Sequence, residues 1–139
     1  MAKILVVEDD HNNARVFEAI LRRMGGFDVV LSEDVGEILD LCRRGEIDLV
    51  IMDISLTRSY WQGKKVDGID ITRLIKEDPE TSHIPVLLAT AHAMKGDRER
   101  FLEASGAEGY VAKPVLDHQA MIEDIRRLIA AKERTKPPA

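Results

Sequence analysis

Acidic side chains, a hydroxyl and a lysine stand where short apolar runs of the sequence end. Glu8 and Asp9 follow the first run, Asp53 and Thr90 close two later runs, and Lys113 closes another. Carboxylates that lie close together repel one another, and a divalent cation is a common way to offset their charge. Carboxylate oxygens suit Mg²⁺, and Mn²⁺ is an alternative ion. If folding brings these strand ends together, the residue types predict a metal site with a hydroxyl and an ammonium beside it.

The elements that must position these residues alternate between strand and helix. Short runs that are mostly apolar, the first of them continuous, predict five strands, at 3–7, 27–31, 48–53, 84–90 and 109–114. Segments at helical spacing follow them, at 11–26, 34–45, 69–76, 94–106 and 117–136. Such alternation requires parallel pairing with right-handed crossovers, which predicts an α/β fold with a flavodoxin-like, doubly wound, five-stranded sheet, (βα)5. Ligands of these sheets bind at the carboxyl ends of the strands, where the strand order reverses.

Helical spacing also predicts which residues face the core. The predicted inward residues are Ala14, Phe17, Leu21 and Met24 in the first helix, Val35, Ile38, Leu39 and Cys42 in the second, and Ile122, Ile125, Leu128 and Ile129 in the last. Cys42 is the single cysteine, so no internal disulfide is expected and the thiol is interpreted as buried and structural.

Composition bounds the class of protein. The chain has 139 residues, 45% hydrophobic and 32% charged, which predicts one soluble domain, placed at 1–132, with a frayed or disordered tail at 133–139. The net charge of −5 disfavours a nucleic-acid partner. No apolar run approaches the ~20 residues of a membrane span, and the N-terminus is too acidic for a signal peptide. We therefore expect a cytoplasmic protein without a membrane partner.

Each polar strand end, taken alone, has an ordinary structural interpretation. Loops are solvated, so polar residues commonly follow strands. The acids at 8–10 are favoured by the dipole of a helix that begins there, and Asp10 fits the first helix better than the site. The joint placement of such residues on several strand ends favours a site over these separate explanations.

Four motifs, "ILVVEDD" at 4–10, "DLVIMD" at 48–53, "IPVLLATAHA" at 84–93 and "GYVAKP" at 109–114, carry a family resemblance. In order and spacing they resemble the receiver domain of two-component response regulators, to about residue 132. Within that family the chain looks most similar to single-domain regulators of cell-cycle and chemotaxis pathways. "AMKGDRERF" at 93–101 strengthens the first of these comparisons.

The resemblance implies a phosphoacceptor that receives a phosphoryl group from a histidine kinase or a phosphotransfer protein. It implies a signalling domain that phosphorylates itself and slowly dephosphorylates itself, rather than an enzyme. By the motifs, Asp53 accepts the phosphoryl group, Thr90 and Lys113 contact it, and the Mg²⁺ ligands are Glu8, Asp9, Asp53 and the backbone carbonyl of Ser55.

The resemblance also implies a switch and its output. Thr90 would move toward the phosphoryl group, Tyr110 would swing inward, and a partner protein would recognise the face of the fourth helix, fifth strand and fifth helix. Ser55 and His92 would tune the lifetime of the acyl phosphate, and a cis peptide bond would precede Pro114. The chain is expected to be a monomer or a weak dimer.

The segment after Asp53 departs from the family pattern. Thr57 stands where the family usually has a proline, and Asp67 begins the family's "DG" fourteen positions after Asp53, roughly twice the usual distance. The extra segment, 58–66, is interpreted as a loop with an exposed tryptophan beside a basic pair, and its partner-recognition candidates are Tyr60, Trp61, Lys64 and Lys65. Surface decoration, partner selection and a lid over the site all remain open.

Four other functions are alternatives to a phosphoacceptor that signals directly to a partner protein. A phosphorylation-independent interaction module and an intermediate phosphorelay receiver use the same fold. A flavodoxin-like cofactor binder would need a hydroxyl- and glycine-rich loop after the first strand, where the acids at 8–10 stand. An aspartyl-phosphate hydrolase would need a second acid where Ser55 stands, and usually a cap domain.

Overall fold

A parallel sheet lies at the centre of the fold and helices cover both of its faces. A computed structural model of the chain describes residues 2–91, 94 and 96–135. In chain order the elements are β1 (Lys3–Val7), α1 (His11–Gly25), β2 (Asp28–Leu31), α2 (Val35–Arg43), β3 (Leu49–Asp53), β4 (Tyr60–Trp61), β5 (Lys64–Lys65), α3 (Gly68–Glu77), β6 (Val86–Thr90), α4 (Asp97–Ser105), β7 (Gly109–Ala112) and α5 (His118–Thr135).

The strand order of the main sheet is β2-β1-β3-β6-β7, with every pairing parallel. This order confirms the predicted flavodoxin-like, doubly wound fold. The direction of winding reverses between β1 and β3, and the carboxyl ends of these two strands therefore open the crevice in which such sheets bind ligands. The register brings the final residues of the neighbouring strands to the same edge, with Asp53 beside Ala89 and Thr90 beside Ala112.

Two apolar clusters, one on each face of the sheet, form the core. Leu5 and Val7 of β1 point to the face that α2 and α3 cover, whereas Ile4 and Val6 point to the face that α1 and α5 cover. This alternation is the period of an extended strand, and all four side chains are buried. Full burial of such a side chain stabilises the fold by about 1.5–3 kcal/mol, so β1 is firmly held behind the acidic residues that follow it.

Local hydrogen bonds fix where the helices near the site begin. The side chain of Asp10 accepts hydrogen bonds from the backbone N–H groups of Asn12 and Asn13, which confirms Asp10 as the start of α1. At α3, Asp67 and Asp70 exchange side-chain and backbone hydrogen bonds in a capping box. Both helices therefore start at the edge of the sheet that carries the strand ends.

Most of the predicted inward helix residues are buried, and one prediction is wrong. Met24 is 43% exposed, and Ile20 is buried in α1 beside the predicted residues. Phe27, which is buried, packs over Gly25 at that end of the helix. Cys42 is buried, as predicted. In α5 the predicted inward residues divide into two fully buried, Ile122 and Ile125, and two partly buried, Leu128 and Ile129.

The segment after Asp53 contains a β-hairpin that the sequence did not predict. Strands β4 and β5 pair antiparallel across Gln62 and Gly63, which both have positive φ (52° and 81°), as in a type I′ turn. The expectation of an exposed tryptophan is wrong, because Trp61 is partly buried against the apolar cluster on the α2 and α3 face. Its neighbour Tyr60 is the exposed aromatic residue, at 61%.

The remaining sequence predictions on the fold concern single positions. The peptide bond between Lys113 and Pro114 is cis, as predicted. Helix α5 continues to Thr135, whereas residues 136–139 lie outside the described residues, so the domain boundary at 132 stays a prediction. Among the described helices, none has the length and apolar character needed to cross a bilayer.

Candidate functional site

Three acidic side chains meet where β1 and β3 end. Glu8 and Asp9 directly follow β1, and Asp53 is the last residue of β3. One carboxylate oxygen from each lies within 4.8 Å of the other two. Glu8 and Asp53 are buried, at 6% and 4% exposure, and Asp9 is half-buried. The parallel sheet thus brings together acids that lie more than forty positions apart in sequence.

Lys113 supplies the cation that contacts two of these acids. Its Nζ lies 2.7 Å from Oε1 of Glu8 and 3.2 Å from Oδ1 of Asp53. Burial acts to lower the pKa of Lys113, but the hydrogen bond to Glu8 and the charge of Asp53 outweigh it, and the pKa lies above its ordinary value. The ammonium is therefore a permanent positive charge at the end of β7.

The cluster still carries more negative than positive charge. Burial, together with the hydrogen bond to Asp53, raises the pKa of Glu8 from 4.5 to about 7. Lys113 acts in the opposite direction on this pKa, but it does not outweigh burial and Asp53. Three carboxylate groups that converge on one point are the donor set that a hard divalent cation prefers, so these residues fit Mg²⁺.

Asp9 is held differently from the other two acids. Its Oδ2 accepts hydrogen bonds from the backbone N–H of Thr57 at 2.9 Å and from the Thr57 hydroxyl at 3.0 Å. Burial acts to raise the pKa of Asp9, but these bonds and the charge of Arg58 outweigh it and hold the pKa below its ordinary value. The sequence does not predict these contacts, although it shows Thr57 where the family usually has a proline.

Thr90 and Ser55 lie at the same edge of the sheet. Thr90 is the last residue of β6 and is 2% exposed, and its carbonyl accepts a hydrogen bond from the Lys113 N–H at 2.8 Å. Ser55 is exposed, and its backbone N–H donates to Oδ1 of Asp53 at 3.1 Å. That bond fixes the rotamer of the predicted acceptor. His92, predicted with Ser55 to tune the phosphate lifetime, lies outside the described residues.

Tyr110 lies on β7, half-buried, at the face formed with α4. Its ring stacks on that of Phe101 with centroids 6.3 Å apart. Burial, with a smaller effect of the Asp97 charge, raises the pKa of the phenol. Within the described part of the chain the Tyr110 hydroxyl is buried without a hydrogen-bond partner. A buried hydroxyl without a partner costs free energy, so a second ring position that supplied a hydrogen bond would be favoured.

Gly68 is a second residue whose role the sequence analysis missed. Its N–H donates to the carbonyl of Ile54 at 3.1 Å, so α3 begins against the backbone that follows Asp53. A Cβ at this position would overlap the carbonyl oxygen of Asp53. The signal was present in the sequence as the "DG" pair, but its reason is a close approach that only the fold reveals.

The hairpin candidates lie outside the acidic cluster. Trp61, Lys64 and Lys65 line a groove of about 390 Å³ between the hairpin and α3, whereas Tyr60 does not line it. Arg73 and Leu74 form part of its α3 side. The groove therefore combines apolar and charged side chains along α3.

Comparison with known proteins identifies the family to which this geometry belongs. The family model described as "Response regulator receiver domain" matches residues 4–128. The chain belongs to the response regulator receiver family. This result confirms the resemblance drawn from the four motifs. Receiver domains are signalling domains of two-component systems, and phosphorylation of an aspartate is general to the family.

Named relatives and solved structures agree with this assignment. The polar-differentiation response regulator DivK of Brucella anthropi is 37% identical over 112 residues, which is 81% of this chain and 84% of that protein. A receiver domain of a Pseudomonas aeruginosa sensor histidine kinase, solved with a magnesium ion coordinated in its active-site cleft, is 32% identical, with a TM-score of 0.75 over 93% of this chain and 98% of that one. A CheY-like receiver domain from Methanospirillum hungatei, 21% identical, shares the fold with a TM-score of 0.77 over 97% and 98% of the two chains.

Proposed function

We propose that Asp53 receives a phosphoryl group from the phosphohistidine of a histidine kinase or phosphotransfer protein, in a Mg²⁺-dependent reaction, and that the chain then signals through protein contacts. The observation that carries this proposal is the pair of contacts from the Lys113 ammonium to Glu8 and Asp53 within the acidic cluster. A buried acid with only a structural role at a strand end would not require a cation that it shares with a second acid, or two further carboxylates beside it.

The metal would be held by Glu8, Asp9, Asp53 and the carbonyl of Ser55. The first three converge within 4.8 Å, which supports the assignment, and Mn²⁺ would be accepted by the same oxygen donors. When bound, the ion supplies positive charge that offsets the charge of the transferred phosphoryl oxygens.

The protein residues perform the transfer itself. An oxygen of the Asp53 carboxylate attacks phosphorus, the P–N bond of the phosphohistidine breaks, and its electron pair returns to the imidazole. Because Ser55 N–H and Lys113 both contact Oδ1, we assign the attack to Oδ2 of Asp53. Lys113 would then turn from the carboxylates to a phosphoryl oxygen, and the Thr90 hydroxyl would donate to another.

Phosphorylation would be transmitted through Thr90 and Tyr110. Movement of Thr90 toward the phosphoryl group would open space for the Tyr110 ring, whose buried hydroxyl lacks a partner among the described residues. The face of α4, β7 and α5 would change shape, and a downstream protein would recognise it. Ser55 and His92 would set how readily water attacks the acyl phosphate.

The hairpin would contribute to the choice of partner. Its exposed residues Tyr60, Lys64 and Lys65 are available to a partner, and Trp61 anchors the hairpin to the core rather than contacting a partner directly. We propose a cytoplasmic protein with protein partners and no nucleic-acid or membrane partner, present as a monomer or weak dimer. An intermediate relay remains within this proposal, because it uses the same acceptor.

Intact mass spectrometry after incubation with acetyl phosphate tests the proposal. We expect the mass of one phosphoryl group to be gained with Mg²⁺, and no gain with EDTA or in Asp53→Asn. A matched control is Asp48→Asn, which changes a carboxylate at the opposite end of the same strand. No gain in the wild-type chain with Mg²⁺, together with no response to beryllofluoride, would instead support a phosphorylation-independent interaction module.

A further inference from the structure

Thr57 and Arg58, the residue before the inserted segment and its first residue, contact the acidic cluster through Asp9. Thr57 directs its N–H and its hydroxyl to the same oxygen, Oδ2 of Asp9. Nη2 of Arg58 donates to the backbone carbonyl of Asp9 at 2.6 Å. Three donors from two adjacent residues therefore hold both the side chain and the backbone of this acid.

Arg58 is itself held by a second contact, with a different loop. Arg58 pairs with Glu33, with Nη2 3.2 Å from Oε2, in the loop that links β2 and α2. The carbonyl of Ser59, the next residue, accepts the Val66 N–H at 3.0 Å and closes the base of the hairpin. Asp9 is thus connected to the hairpin and to the β2–α2 loop, so its position depends on both.

Two donors on one carboxylate oxygen restrict rotation of the Asp9 side chain. A carboxylate can accept about four hydrogen bonds, and Thr57 takes two positions on Oδ2. Residues that hydrogen-bond a metal ligand without contacting the metal typically weaken metal binding by about 10–100-fold when they are removed. Thr57 itself is exposed and fills no space in the core, so its contribution lies in this contact.

We propose that Thr57 and Arg58 are positioning residues for the divalent-cation site, which hold Asp9 in a ligating orientation toward Glu8 and Asp53. This inference rests on the proposed function, since it concerns the same metal site. It assigns the inserted segment a role in metal affinity, and by reciprocity the bound ion stabilises the hairpin conformation.

Calorimetric titration of the full chain with Mg²⁺ tests the proposal. Thr57→Val removes the hydroxyl donor and keeps the N–H, and we expect it to weaken Mg²⁺ binding about tenfold. Thr57→Ser restores a hydroxyl and should recover an affinity close to that of the wild type. Arg58→Met should also weaken binding, because the release of the Asp9 backbone outweighs the loss of a positive charge that on its own would favour Mg²⁺.

Matched controls separate positioning from general destabilisation. Thr81→Val makes the same substitution where the hydroxyl donates to the carbonyl of Ile75, and Arg44→Met removes an exposed pair with Glu46. Both should leave the Kd for Mg²⁺ unchanged. The melting temperature in EDTA should be the same for Thr57→Val and Thr57→Ser.

The outcomes distinguish this inference from the proposed function. If the wild type binds Mg²⁺ and Thr57→Val binds it equally or more tightly, the positioning role is overturned and the metal site stands. If Thr57→Ser fails to recover the affinity lost in Thr57→Val, the positioning role is likewise overturned. If the wild type does not bind Mg²⁺, both the metal site and the positioning role are overturned.

Discussion

At the scale of single residues, the ammonium of Lys113 contacts two acids of the cluster, Glu8 and Asp53. Removal of one partner from a buried ion pair leaves the other charge without compensation, at a cost of about 3 kcal/mol. We therefore expect Lys113→Met in EDTA to lose about that much unfolding free energy in a urea titration, and to recover much of it with Mg²⁺.

The control for this prediction is Arg127→Met, which removes an exposed pair with Asp124. Such surface pairs contribute about 0–1 kcal/mol. A loss in Lys113→Met no larger than that in Arg127→Met would show that the lysine does not compensate the acids.

Glu8 gives a prediction for pH. Its pKa is about 7 in the folded chain against an ordinary value of 4.5, so between these values the folded state binds a proton that the unfolded state has released. The stabilisation from that proton is present below about pH 4.5 and is lost as the pH rises through 7. We expect the melting temperature in EDTA to fall from pH 5 to pH 8.

Glu8→Gln should flatten this decrease, because the amide does not titrate. Asp28→Asn, a change at an exposed residue of β2, serves as a control that should keep the wild-type slope. An equal slope in Glu8→Gln and the wild type would contradict the assignment of the titration to Glu8.

The acids and the lysine were predictable from sequence because each follows an apolar run, and parallel strands end at one edge. The contacts of Thr57 and Arg58 were not. Those residues reach Asp9 through the path of a loop, and loop paths depend on packing that has no sequence period. Gly68 lies between these two cases, because the sequence shows the family's glycine but only the fold shows its close approach to Asp53.

At the scale of helices and strands, Gly68 sets how closely α3 approaches the end of β3. Gly68→Ala places a Cβ where the Asp53 carbonyl lies, and forcing the helix away should cost about 1–3 kcal/mol. The shift also displaces the acceptor, so the initial rate of phosphorylation by acetyl phosphate should fall. Denaturant titration and mass spectrometry of the same samples measure both effects.

Gly36→Ala is the matched control, because a Cβ there meets Asp34 and Trp61 at ordinary distances of 3.5 and 3.9 Å. Alanine is also the better helix former, so stability should be equal or greater. If the two variants behave alike, the close approach at Gly68 does not control the site.

Sequence patterns predicted the long elements and missed the short ones. Strand β3 has a continuous apolar run, whereas β4 and β5 have two residues each and too little length for any period. Their turn is formed by Gln62 and Gly63, and glutamine is not a typical signal for positive φ. Spacing alone places Met24 inward, but spacing does not show where the buried face of α1 ends, and Met24 is 43% exposed.

At the scale of the whole molecule, the fold carries a net charge of −5 and gathers three carboxylates at one edge. A cation that binds only the folded state stabilises it by about 2.7 kcal/mol at a hundredfold excess over Kd. We therefore expect Mg²⁺ to raise the melting temperature relative to EDTA, and Asp53→Asn to lose most of that gain. Equal gains in both chains would indicate non-specific screening.

The identity of the phosphorylated residue is the central claim, and reductive trapping measures it directly. Borohydride converts an aspartyl phosphate to homoserine, which peptide mass spectrometry locates in the sequence. After incubation with acetyl phosphate and Mg²⁺, we predict homoserine at position 53, and none when EDTA replaces Mg²⁺. Homoserine at position 9 in place of 53, or no homoserine in a chain that has gained a phosphoryl group, would contradict Asp53 as the acceptor.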